Sequence, residues 1–88
     1  MAKRIAVIVR DRQSEALRMS IGLTILEDEV EIYLVKPLRD EDEMTLQLEG
    51  VRELSIPVFS IFEESGFEDI TIEEMAGRLL RADNIIAY

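Results

Sequence analysis

The sequence predicts an α/β domain built on a parallel β-sheet, and three observations carry this prediction. Residues 5–9 (IAVIV) are apolar at every position, which is typical of a central strand covered on both faces. A polar turn and a stretch with helical spacing follow over residues 10–27, and residues 30–35 begin with alternation and then become wholly apolar, as in a second strand. A strand, a helix and a strand in this order normally close right-handed into two parallel neighbours of one sheet.

Length and composition bound the class of protein. The 88 residues leave room for one hydrophobic core, so a single domain over residues 1–88 is expected. No apolar run approaches the roughly 18 residues of a membrane span. Lys3 and Arg4 precede an apolar run that is too short for a signal peptide. We therefore expect a cytoplasmic protein with no membrane partner.

The charge and two missing residue types exclude several functions. Nineteen acidic residues against ten basic ones give a net charge of −9, which repels the phosphates of nucleic acids. The chain has no cysteine and no histidine, so it lacks a thiolate nucleophile, the usual general base and the typical zinc ligands. We expect no nucleic-acid partner, no metal, no cofactor and no enzymatic activity of its own.

The first predicted helix, over residues 14–27, carries two opposed apolar stripes. Asp11 or Ser14 is its expected N-cap. A helix that lies on a sheet needs one apolar stripe, so the second must meet a neighbouring element or another subunit. The first stripe consists of Ala16, Met19, Leu23 and Leu26, and the second, a candidate oligomer interface, consists of Leu17, Ile21 and Ile25.

The middle of the chain, residues 39–54, has two interpretations. Asp40 and Glu43 resemble a capping box at the start of a helix, whereas residues 44–48 alternate as a strand would. A parallel third strand needs a crossover of a dozen or more residues, which favours the helix. The alternation leaves helix or strand open for residues 43–48.

The remaining elements follow from clearer signals. Residues 56–62 predict a third strand, residues 63–69 an acidic loop, and residues 84–88 a fourth strand. Thr71 and Glu74 form a capping box before a third helix. The spacing of the acids in the loop matches no calcium-binding motif, so an exposed acidic loop is favoured over a cation site.

Together these elements predict a flavodoxin-like three-layer α/β/α fold with a four-stranded parallel sheet in the order 2-1-3-4. The first helix would lie alone on one face, and it would cover about 10 Å of a sheet about 19 Å wide. One face of strands 3 and 4 would then be bare unless side chains and loops cover it. This face and the second stripe of the first helix predict a homo-oligomer.

Polar residues at the carboxyl ends of the predicted strands form a candidate anion or partner site. Open α/β sheets usually bind ligands at this edge, and two arginines beside a helix N-terminus suit an anion. The turn has no glycine-rich phosphate loop, so solvated turn charges are the competing explanation. The candidate residues are Arg10, Asp11, Arg12, Lys36 and Ser60.

The chain resembles the DsrE/DsrF/DsrH family, which includes the sulfur-relay TusBCD proteins. The resemblance is carried by residues 5–9, 15–24, 30–35, 57–60 and 82–88. It implies a flavodoxin-like α/β fold that assembles into trimers or hexamers. Sulfur-carrying members hold a persulfide on a cysteine near the end of the third strand, where this chain has Ser60. The resemblance thus implies a cysteine-less relative that cannot carry sulfur covalently.

Two hypotheses of function follow. The first is a non-catalytic oligomeric scaffold or partner-binding subunit, related to sulfur-relay proteins but without the persulfide step. The second is a small-anion or nucleotide-binding module that uses Arg10, Arg12 and Lys36 at the carboxyl ends of strands 1 and 2.

Overall fold

A computed structural model describes residues 3–26, 28–39, 42–61 and 67–88, with the side chains of residues 42 and 43 excepted. The strands are β1 (Arg4–Val9), β2 (Glu29–Leu34), β3 (Val58–Ser60), β4 (Glu68–Asp69) and β5 (Asn84–Ala87). The helices are α1 (Gln13–Ile25), α2 (Asp42–Glu53) and α3 (Ile72–Leu79). The α/β class is confirmed, and α2 shows that residues 43–48 are helical. None of the described helices has the length and apolar character needed to cross a membrane.

The described strands form one parallel sheet in the order β4-β3-β2-β1-β5. This corrects the predicted 2-1-3-4 order, because β3 lies beside β2 and the last strand lies beside β1. The second crossover continues in the same direction as the first, so right-handed connections place α1 and α2 on the same face. Strand β2 is therefore central instead of at an edge, in agreement with the burial of Val30, Ile32, Tyr33 and Leu34.

The larger core lies between the sheet and the pair α1 and α2. Alternate residues of β1 and β2 contribute to it, because side chains on a strand alternate between the two faces. The two helices approach closely where Ile21 of α1 meets Gly50 of α2: a Cβ added at Gly50 would lie 2.8 Å from Ile21 Cδ1. The buried members are Ile5, Val7, Val9, Ala16, Leu17, Val30, Ile32, Leu34, Met44, Val51 and Ile56.

The opposite face of the sheet carries α3 and a smaller core. Its buried members are Ala6, Tyr33, Phe59 and Ile70. The rings of Tyr33 and Phe59 stack with centroids 5.4 Å apart, and the Arg78 guanidinium lies 4.4 Å from the Phe59 centroid. As predicted, Thr71 caps α3, since its hydroxyl accepts a hydrogen bond of 3.0 Å from the Glu74 amide.

Candidate functional site

The predicted anion site lies at the carboxyl ends of β1 and β2, and most of its cations have partners. The Lys36 ammonium lies 2.6 Å from Asp11 Oδ1, and this hydrogen bond and charge lower the pKa of the Asp11 carboxyl. The Arg12 guanidinium pairs with Glu15. Arg39, which the sequence analysis did not single out, donates to the Asp11 backbone oxygen at 2.8 Å. Much of the local positive charge is thus balanced.

The backbone of the same turn is also occupied. The amides of Asp11 and Arg12 both donate to the Tyr88 backbone oxygen, at 2.9 and 3.1 Å. Arg12 is the N-cap residue of α1 and makes no side-chain cap, so the prediction of Asp11 or Ser14 as N-cap is wrong. Two donors that a phosphate would need therefore already bind the end of β5.

A buried glutamine joins the two loops at this edge of the sheet. The Gln13 carboxamide donates to the backbone oxygens of Arg10 and Pro37, at 3.1 and 2.9 Å, and accepts from the Arg39 amide at 2.9 Å. All three bonds lie within reach of one side chain because β1 and β2 are adjacent. Sequence reasoning missed Gln13, since nothing in its neighbourhood distinguishes a buried glutamine from an exposed one.

Ser60 does not join the cluster of charged side chains. It is fully buried at the end of β3, which is separated from β1 by β2. The cleft beside the turn is lined by other residues, among them Arg12, Arg18 and Arg39. The structure therefore corrects the placement of Ser60 with Arg10, Asp11, Arg12 and Lys36 in one site.

The predicted oligomer interface on α1 is mostly covered by the chain itself. Leu17 is fully buried, and Ile21 is half-buried against Gly50. Ile25 is the exception, with 69% of its surface exposed. Because α2 lies beside α1 instead of across the sheet, the second stripe packs within the chain. This corrects the assignment of Leu17 and Ile21 to a contact between subunits.

The C-terminal part of the chain leaves apolar residues exposed. Residues 72–88, all of which the structure describes, include no buried residue, although α3 is amphipathic and β5 is apolar. Ile85 pairs in register with Ala6 of the smaller core, so it lies on the α3 side of the sheet. We call three of these residues the C-terminal apolar set: Ile72 (62% exposed), Leu80 (88%) and Ile85 (52%).

A second polar group lies at the amino ends of β1 and β2, on the α3 side. The buried Tyr33 hydroxyl donates to the Glu31 carboxylate, and Arg4 approaches that carboxylate at 3.6 Å. Burial, followed by the hydrogen bond and negative charge of Glu31, raises the pKa of Tyr33. A neutral buried phenol held in this way closes the amino end of the small core, which is a structural role.

Metal binding and relationships to known proteins add no further site. Within the described ranges, no three acidic side chains lie close enough together to hold a metal ion. The loop acids Glu63 and Glu64 lie outside the described residues, whereas Glu68 and Asp69 form β4. No protein-family model, no curated protein and no solved structure matches this chain.

Proposed function

We propose that this chain is a non-catalytic, DsrE-like oligomeric subunit that acts by binding other protein chains. The observation that carries the proposal is the C-terminal apolar set, Ile72, Leu80 and Ile85, which the chain leaves exposed. Fully burying one isoleucine or leucine side chain is worth about 1.5–3 kcal/mol. A complex in which a protein partner covered these residues would be stabilised by the transfer of their exposed apolar surface out of water.

The organisation of α3 favours binding over accidental exposure. The helix is capped by Thr71 and has acidic residues in its first turn and Arg78 in its last, so its ends are well formed. Its apolar residues Met75 and Leu79 reach the small core, but Ile72 and Leu80 do not. Isoleucine and leucine left exposed at the two ends of this capped helix support a surface that another chain covers.

The chemistry of the chain agrees with a scaffold and not with a sulfur carrier. Ser60 stands where the resemblance implies a persulfide cysteine, and it is fully buried at the end of β3. The chain has no histidine that could act as a general base for this hydroxyl. The subunit would therefore assist a sulfur-relay partner in the cytoplasm by contact alone, as a trimer or hexamer.

Sedimentation equilibrium at micromolar concentration tests this proposal. The wild-type chain should have a mass well above the 10.1 kDa of one chain. A charge placed in the C-terminal apolar set, as in Leu80→Lys, should weaken assembly. Leu46→Lys is the matched control, because Leu46 is also largely exposed but lies on α2. A wild-type mass of one chain would contradict the proposal.

The alternative, a small-anion or nucleotide-binding module, has one observation in its favour. Among the described residues, no carboxylate forms an ion pair with Arg10 or Arg18. Against it, four acidic residues follow Arg39 directly in the sequence, and the turn amides are already bonded. A thermal-shift screen with phosphate, sulfate and ATP decides: an increase in Tm that Arg10→Gln abolishes would favour this alternative.

A further inference from the structure

A groove lies at the amino edge of the sheet, where α1 and α2 both end. Helices that connect parallel strands run opposite to the strands, so their C-terminal ends meet at this edge. The groove is lined by Thr24 in the last turn of α1, by residues 28–31 and by residues 54–57 after α2. Its volume is about 300 Å³, at the lower end of the range of ligand pockets. We call it the amino-edge groove, and it has room for one or two side chains of another molecule.

Apolar residues contribute to the lining of the amino-edge groove. Val30 and Ile56 belong to the larger core, whereas Leu54 remains 38% exposed. The chain turns sharply after Leu54, since Ser55 has a φ of 54° and the amides of Ser55 and Ile56 donate back to the last turn of α2 at 3.0 and 3.1 Å. These two bonds form a Schellman motif, which holds Leu54 at a fixed turn. An apolar side chain that entered the groove would cover Leu54.

The rim of the amino-edge groove is acidic. It contains Asp28, Glu29 and Glu31, and 70% of the Glu29 side chain is exposed. The Arg4 guanidinium is shared between two of these acids, at 3.9 Å from the Glu29 carboxylate and 3.6 Å from that of Glu31. Among the described residues, no cation forms an ion pair with Asp28. The rim therefore carries negative charge that the described part of the chain does not balance.

The end of α1 makes this negative charge unfavourable in the free chain. The C-terminal end of a helix carries partial negative charge, which attracts cations and repels acids. The last turn of α1 contains no basic residue. The Asp28 amide donates to the Leu23 oxygen at 3.2 Å, so this acid follows the helix end closely. A cation bound at the rim would relieve the repulsion.

We propose that the amino-edge groove binds a segment of a partner protein in which an apolar side chain is flanked by arginine or lysine. The apolar side chain covers Leu54, and the flanking cations pair with Asp28 and Glu29. Charge complementarity selects this occupant, because a second copy of the chain, with its net charge of −9, would be repelled. The groove is separate from the C-terminal apolar set, so the inference does not depend on the proposed function.

An NMR titration of the whole ¹⁵N-labelled chain tests the proposal. The probe is a capped peptide of five residues in which arginine and leucine alternate. We expect it to shift the amide signals of residues 28–31 and 54–56. Two control peptides, one with glutamate in place of arginine and one with serine in place of leucine, should each bind about tenfold more weakly or less.

Matched variants identify the rim acids as the contacts. Asp28→Asn keeps the shape of the side chain and removes its charge, so it should raise the Kd of the arginine–leucine peptide about tenfold. Glu73→Gln is the control, because Glu73 is also an exposed acid but lies on α3, at the other face of the sheet. This control should keep the wild-type Kd.

The free chain gives a second measurement that needs no peptide. Asp28→Asn removes an acid beside the C-terminal end of α1, so it should raise Tm by about 1–5 °C. Glu73→Gln removes an acid from the first turn of α3, where negative charge is favourable, and should lower Tm. A lower Tm in Asp28→Asn would mean that this acid is not unfavourable in the free chain and would overturn the choice of a basic partner.

The binding outcomes are equally decisive. If the signals of residues 28–31 and 54–56 do not shift, or if Asp28→Asn binds as the wild type does, the inference is wrong. Equal binding of the serine peptide would indicate a surface that attracts any cation, and it would overturn the inference as well. None of these results bears on the C-terminal apolar set, whose test is the mass of the wild-type chain.

Discussion

The two faces of the sheet differ in how much apolar surface the helices bury on them. On the α1 and α2 side, two helices of 13 and 12 residues cover the sheet, and eleven of the described apolar residues are buried. On the α3 side, one helix of 8 residues covers the same five strands, and four are buried. The strands supply apolar side chains to both faces. The difference therefore comes from the helices, and it leaves the second face less covered than the first.

The largest expected effect is a loss of stability on the face of the sheet that α1 and α2 cover. Leu17→Ala removes a fully buried side chain from the larger core and should cost about 2–5 kcal/mol of unfolding free energy. Leu79→Ala, at a half-buried position of α3, should cost clearly less. Urea denaturation of both variants measures the difference. Equal losses would show that the two faces contribute equally to stability.

A second prediction concerns the phenol of Tyr33, in the smaller core on the α3 side of the sheet. The pKa of Tyr33 is raised in the folded chain, so its contribution to stability is present below its unfolded value of 10.0. That contribution is lost as the pH rises through the folded pKa. Tyr33→Phe should cost about 1 kcal/mol at neutral pH, since it removes a hydrogen bond to Glu31.

The same substitution should reduce the loss of stability above pH 10. Thermal unfolding from pH 7 to 11 compares the two chains. An unchanged alkaline loss in Tyr33→Phe would assign it to other groups.

The cap of α3 should matter to that helix more than to the whole molecule. Thr71→Ala removes the bond to the Glu74 amide and should cost about 1 kcal/mol. Because α3 contains no buried residue, we expect local loss of the helix before global unfolding. Amide hydrogen exchange should become faster in residues 72–79 while β1 stays protected. Faster exchange throughout the chain would contradict this local opening.

The smallest expected effects distinguish a glycine between helices from glycines in open space. An added Cβ at Gly22 or Gly77 meets nothing within 4 Å, so alanine there should stabilise the chain by about 0.5–1 kcal/mol. Gly50→Ala must displace Ile21 Cδ1, which reduces or cancels that gain. Differential scanning calorimetry of the three variants measures the change in stability that each alanine causes. An equal gain at Gly50 would mean that the Ile21 side chain moves away from the added Cβ at no cost in free energy.

Much of the fold could be predicted from the sequence because local signals are strong where one element is long or capped. The five-residue apolar run in β1 and the Thr71 cap of α3 both correspond to observed elements. The acidic pair in β4 was predicted as loop, since two exposed residues paired only through their backbone leave no side-chain pattern. Strand order was wrong because no periodicity encodes the direction of a crossover.

The error in strand order also explains why the candidate oligomer interface was placed on α1. With α2 on the other face, the second stripe of α1 meets either another neighbouring element or another subunit, and the latter predicts Leu17 as part of a candidate interface. Once α2 lies beside α1, Leu17 is buried, and the large apolar residues left exposed in the C-terminal part of the chain are Ile72, Leu80 and Ile85. Elsewhere among the described residues, Ile25, Leu26, Leu46 and Leu54 are also exposed. Exposure of Leu80 or Ile85 could not be predicted, because an apolar residue at helical or strand spacing is equally consistent with burial.

The Gln13 carboxamide has a consequence for anyone who modifies this domain. Its three bonds join the loop after β1 to the loop after β2, so the two segments form one mechanical unit. A peptide grafted into either loop would displace the other through this side chain. The two loops therefore have to be redesigned together. An insertion that does not fit should first break the Gln13 hydrogen bonds.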